Sequence, residues 1–170
     1  MTSQMGPVVR TEHGTYLLTL TRDHREVIAH MLKQLRDSLT TTTDDSALRR
    51  LFPTAYHDDA KKDAEYQRLM REELLASRLA AIETALNVIS GRDELTDTDI
   101  DAFARSINSL RLVLGTTLDI AESDYDARED PDDHHGDQHD DHDDELIQRE
   151  LYEYLGWLLE WTVGAQSEGL

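Results

Sequence analysis

The sequence predicts a mainly α fold, a four-helix bundle-like domain with an N-terminal β-hairpin. Three observations point there. Apolar residues recur at spacings of three and four along four separate segments, the period that turns one side of an α-helix toward a core. The 170 residues include only 3 prolines and 8 glycines, too little turn chemistry for a β-sandwich. One stretch near the N-terminus, rich in Val, Thr, Tyr and Leu, departs from the helical period. A chain of this length suits a single domain, residues 1–170, with a core of useful size.

"VVRTEHGTYLLTLT" (8–21) reads as the hairpin. Two strand-forming segments flank "EHG", and Gly14 can take the positive φ that a tight turn needs. Two strands alone are marginal, so the hairpin is expected to lie against helices. A first helix follows over about 22–39, with Val27, Ile28, Met31, Leu32, Leu35 and Leu39 on one stripe. Thr21 suits its N-cap, and Asp23 and Glu26 complement the positive end of the dipole. After the polar loop "TTTTDD", a short turn starting at Asp45 or Ser46 runs to Leu51. Pro53 stops it, because the residue before a proline is pushed out of the α region.

The next helix is long, about 58–90, starting at Asp58 and Asp59 and closed by Gly91. Leu75, Leu79, Ile82, Leu86 and Ile89 form its stripe, extended upstream by Tyr66, Leu69 and Met70. A third helix, about 97–119, has the clearest start: Thr96 caps, Asp97 and Asp99 fill the first turn, and Leu95 staples onto Ile100. Its buried face is expected to be Ile100, Phe103, Ile107, Leu110, Leu114 and Leu118. Residues 122–145 are nearly devoid of apolar groups and read as an acidic, His/Asp-rich disordered linker. The last helix, about 144–163, carries Ile147, Leu151, Tyr154, Leu155, Leu158 and Trp161, and also Tyr152, Trp157 and Leu159. A helix that is apolar on more than one face either sits centrally in the bundle or meets a partner.

Charge narrows the function. The formal net charge is −19, and 122–145 alone contributes −12 of it. Displacing counterions from phosphates needs a basic surface, so direct DNA binding is disfavoured. There are no cysteines, which removes disulfides, Cys-ligated zinc and thiol switches from the chemistry open to this sequence. The N-terminus lacks a signal-peptide pattern, and no apolar run reaches the length of a bilayer span. A cytoplasmic protein without membrane contact is expected.

No catalytic motif is present: no P-loop, GxGxxG, GxSxG or HExxH. Glu72, Glu73 and Glu83 lack the Glu-x-x-His pairs of a di-iron bundle and read as a solvated face. The protein is therefore expected not to be an enzyme and to need no cofactor. His134, His135, His139 and His142 among aspartates are the candidate metal ligands. Nothing in a low-complexity tract orients them, so no metal site is assigned and metal buffering stays an alternative.

Two sets of residues remain as candidate partner-binding sites. "LRRLFPTAY" (48–56) places Arg49, Arg50, Phe52 and Tyr56 in one basic and aromatic knot that also joins two helices. Trp157 and Trp161, four apart on the last helix, have the character of interface anchors. Arg78 and Arg111 lie close to the expected buried stripes, where aliphatic stems cover a core while the heads reach water, or where an oligomer interface needs a polar contact. A direct DNA-binding regulator, the alternative of a different class, would need a basic face from Arg49, Arg50, Arg68, Arg71 and Arg78.

The order of motifs adds to this. "LRRLFPTAY" is followed by "EYQRLMREELLASRLAAIE", then "ELTDTDIDAFARSINSLRLVLGTTLDI", then "ELYEYLGWLLEWTV". Together these resemble an actinobacterial domain family of unknown function encoded beside the ClpS adaptor gene, some of whose members are described as oxidative-stress transcriptional regulators of the AosR type. The likeness runs from the hairpin to Val163, and "LRRLFP" and "SLRLVLG" are its specific parts. It implies a cytoplasmic, mainly helical protein that modulates transcription under stress by contact with a sigma factor or RNA polymerase, expected here as a homodimer. Redox-responsive members use a cysteine pair, which this sequence lacks.

Overall fold

A computed structural model of the chain describes residues 5–41, 46–92, 94–126 and 138–168, with the backbone alone taken at 120–126 and 138–141. Strands β1 (Val8–Arg10) and β2 (Tyr16–Leu18) pair antiparallel, with Val8 opposite Leu18 and Arg10 opposite Tyr16. The turn between them uses Gly14 at φ 80°, and Thr11 and Thr15 share a 2.7 Å hydroxyl contact across its base. Four α-helices follow: α1 (Arg22–Thr41), α2 (Ala60–Ile89), α3 (Asp97–Asp126) and α4 (Gln138–Ser167). A short 3₁₀ helix, Ser46–Leu51, lies between α1 and α2. The mainly α fold with an N-terminal hairpin is the one expected from the sequence.

Helix α3 is the axis of the molecule. It packs against α4, α2, the 3₁₀ helix and α1, while α4 also covers β1. Its buried side holds Ile100, Phe103, Ile107, Leu110 and Leu118, with Leu114 half-buried at the edge. The start of α3 is a reciprocal cap: the Asp99 N–H donates to Thr96 Oγ1 at 3.2 Å, and the Thr96 N–H donates back to Asp99 Oδ2 at 3.0 Å. Leu95 and Ile100 are both fully buried beside it. Leu95 also exchanges two 2.9 Å backbone bonds with Tyr16, which fastens the hairpin to the entry of α3. The buried Tyr16 ring completes the junction, its hydroxyl reaching Asp97 at 3.0 Å.

Arg25 ties the other end of the hairpin to the bundle. Its guanidinium donates to the carbonyls of Leu20, Ile89 and Leu18 at 3.1, 3.1 and 2.7 Å. Because Ile89 ends α2, this puts a cation at the negative end of that helix.

One expectation needed correction. The buried face of α2 is Ala81, Ile82, Ala85, Val88 and Ile89. Leu75, Leu79 and Leu86 are only partly buried, and Leu69 is 66% exposed. Since α2 contacts both α1 and α3, its core arc centres on the small Ala81 and Ala85, which let two neighbours approach. Of the two places open to the last helix, the central one is taken by α3; α4 buries Leu155, Leu158 and Ala165 and leaves side chains of a second side exposed. Helix α3 continues to Asp126 and α4 begins at Gln138, so helix enters both ends of the acidic tract. Extending an existing helix adds one hydrogen bond per residue ordered and needs no new nucleus, so a polar flank can follow an anchored one. The remainder of that linker, 127–137, lies outside the described residues.

Candidate functional site

The "LRRLFPTAY" knot is built as a joint. Leu48 and Leu51 on the inner side of the 3₁₀ helix are fully buried, which turns Arg49 and Arg50 outward. Arg50 forms an ion pair with Asp119 on α3, and its guanidinium shares the surface above Gly115 with the Tyr152 ring of α4. Arg49 is exposed, and its backbone carbonyl accepts the Phe52 N–H at 3.3 Å. Phe52 departs from the expectation of a contact residue. It is 8% exposed and belongs to the core, with the Arg71 guanidinium 4.6 Å from its ring centroid. Pro53 breaks the helical path, and its carbonyl accepts a 2.8 Å bond from Gln67. Tyr56 is exposed, edge-on to Tyr66 at 6.1 Å with the Lys62 ammonium 5.5 Å from its ring.

"SLRLVLG" is the other half of that joint. Arg111 lies alongside the backbone of Gly156, with its guanidinium 4.9 Å from the Tyr152 ring centroid. Ser109 accepts from Arg78 Nη1 at 3.1 Å, and Arg78 Nη2 donates to the Leu51 carbonyl at 2.8 Å. Thus the two stretches most specific in the sequence resemblance meet at the junction of α2, α3, α4 and the 3₁₀ helix. This also decides where the arginines of an alternative basic face go. Arg50, Arg71 and Arg78 are engaged within the fold, while Arg49 and Arg68 are exposed.

The Trp pair belongs to a different side of α4. Trp157 is five residues past Tyr152, about 140° around the helix, so the structure does not merge the two sets into one site. Trp157 is 45% exposed and Trp161 36%. Tyr154 packs against Trp157 at 5.8 Å and edge-on to His24 of α1 at 5.0 Å, with its hydroxyl 3.3 Å from His24 Nδ1. Burial pushes the Tyr154 hydroxyl pKa up. The Trp161 indole lies against the backbone of Gly6. Leu146 and Ile147 are also exposed. With Trp157 and Trp161 they span about 100° of arc and roughly 22 Å of helix. Exposed Glu150, Glu153 and Glu160 lie along and beside the stripe.

Of the candidate metal ligands, His134 and His135 lie outside the described residues, as does the side chain of His139, and His142 is exposed near the start of α4. Among the described residues no three His, Asp or Glu side chains gather as a metal site. No described helix is long and apolar enough to cross a membrane.

One grouping was missed from sequence. Arg105, Asn108 and Ser109 of α3 face Ser77 and Arg78 of α2 across a cavity of about 220 Å³. The spacing of 105, 108 and 109 was a legible signal of one shared helix face.

The architecture is that of a mainly α domain whose hairpin is bonded into the start of its central helix. Residues 5–166 match the family described as Domain of unknown function (DUF2017), and the chain belongs to it. Over 92 residues it is 32% identical to proteins named Oxidative stress regulator AosR from Mycobacterium bovis and Mycobacterium tuberculosis. That likeness covers 45% of this chain and 42% of each relative, so the chain spans less than half the length of the curated relatives it matches. No solved structure matches it.

Proposed function

We propose that the chain is a non-enzymatic regulatory protein of the cytoplasm, modulating transcription in the stress response through protein contacts. A sigma factor or RNA polymerase is its partner, and a homodimer is its resting form. The observation that carries this reading is the partly exposed set of Leu146, Ile147, Trp157 and Trp161 along one side of α4. Large apolar side chains left exposed along one side of a helix in a charged protein suit an interaction site, and tryptophan is enriched among binding hot spots. The name of the AosR relatives supports a regulatory role, and the absence of catalytic motifs in the sequence agrees with a protein that works by contact.

The test is co-purification with RNA polymerase and its sigma factors from the native cell, comparing the natural chain with a Trp157→Ala/Trp161→Ala double variant. Recovery of a polymerase or sigma subunit, reduced at least about tenfold in the variant, is expected for loss of two anchors. Recovery of self alone, or equal recovery by both chains, would overturn the proposal.

A further inference from the structure

We propose that the cavity between α2 and α3 is a binding site for a small oxyanion, a phosphate or a carboxylate, held by Arg78 and Arg105. The cavity measures about 220 Å³ and is lined by both arginines together with Ser77, Asn108 and Ser109, with Leu74 and Ala81 forming its apolar part. The two guanidiniums, the Ser77 hydroxyl and the Asn108 amide are hydrogen-bond donors of the kind that recognise oxyanions, while Ser109 Oγ donates to the Arg105 carbonyl at 3.0 Å and accepts from Arg78. The volume falls below the ~300–1,000 Å³ of drug-sized sites, which favours a compact ligand.

The charge balance around Arg78 is the second part of the argument. Arg78 is half-buried, and its described bonds go to neutral oxygens, Ser109 Oγ and the Leu51 carbonyl. Its Nε–H is buried without a hydrogen-bond partner among the described residues. Burial and the neighbouring charge of Arg105 both pull its pKa down. Arg105 has Asp101 at 3.0 Å, but Arg78 has no carboxylate partner among the described residues. In a chain of net charge −19, a half-buried guanidinium facing a second one and left without an anion is costly. An oxyanion between the two would supply the missing counter-charge through charge-assisted hydrogen bonds.

The site has a consequence for the joint. Arg78 also holds the Leu51 carbonyl at the end of the 3₁₀ helix, so a bound anion would brace the "LRRLFP" turn from beneath.

The test is calorimetric titration of the full chain with inorganic phosphate and, in a separate arm, with succinate. Both are run against sodium chloride at matched ionic strength. Saturable one-to-one binding is expected in at least one arm, and the arm that saturates identifies the oxyanion. Arg105→Gln, at a half-exposed position, should weaken it at least about tenfold, the usual effect of losing a charge-assisted contact. Ser77→Leu, which fills the cavity from its exposed rim, should do the same without removing charge. At a hundredfold excess over Kd the bound anion should raise the melting midpoint by about 5 °C or more. No saturable heat beyond the chloride control in either arm would overturn the proposal. So would unchanged affinity in both variants.

Discussion

Asp99 shows how one side chain can serve a helix start and respond to acid. It accepts from the Thr96 N–H at 3.0 Å, from the Thr96 hydroxyl at 2.9 Å and from Arg92 at 3.0 Å. The backbone bond from Thr96 is the largest influence holding its pKa below the usual carboxylate range, and the hydroxyl and Arg92 add to it against the opposing effect of burial. A carboxylate whose pKa falls on folding stabilises the native state above its unfolded pKa of about 3.9, and that contribution disappears as pH drops through the folded value. Asp99→Asn should therefore cost about 1 kcal/mol near neutral pH, the usual worth of a helix cap. The gap to the natural chain should close as pH falls from about 4 downward. Urea unfolding of both proteins at neutral pH and in acid checks this; a gap that widens in acid would contradict it.

At the scale of elements, α2 separates what packing needs from what pattern suggests. Ile82 is fully buried, whereas Leu69, three to four turns earlier on the same helix, stands mostly in solvent. Ile82→Ala should cost about 2–5 kcal/mol, and Leu69→Ala should stay within about 0.5 kcal/mol; denaturant midpoints of the two variants measure the contrast. Local signals were enough for the start of α3, because Leu95, Thr96, Asp99 and Ile100 interact within a few residues of each other. The hairpin turn was legible for the same reason, Gly14 supplying the positive φ. The facing of α2 was not, since alanines at 81 and 85 become core only when two other helices close on them. Long-range contacts were hidden in the same way within the candidate site. Nothing local to "LRRLFPTAY" indicates that Arg50 reaches Asp119, or that Phe52 is covered by Arg71. The outward side of α4 was half legible: its excess of apolar residues required either a central position or a partner, and only the packing of α3 at the axis decides that α4 is the outer helix.

For the whole molecule, net charge decides how the proposed contact should depend on salt. Two copies meeting through the α4 stripe would each bring the full −19 charge, and Glu150, Glu153 and Glu160 lie along or beside the apolar residues. Their mutual repulsion reaches about 30 Å at 0.01 M ionic strength and about 8 Å at 0.15 M. Apolar burial itself depends little on salt over that range, so self-association should tighten as salt is added, by about threefold or more. A foreign partner presenting a basic rim to the same glutamates should behave in the opposite way, associating fastest at low salt and weakening as salt rises. Light scattering across this salt range reads the first effect on the isolated chain, and titration of purified polymerase components reads the second. A dimer that dissociates when salt is added would mean that ion pairs hold it. The Trp157 and Trp161 stripe would then be excluded as the surface between copies and left to the other partner.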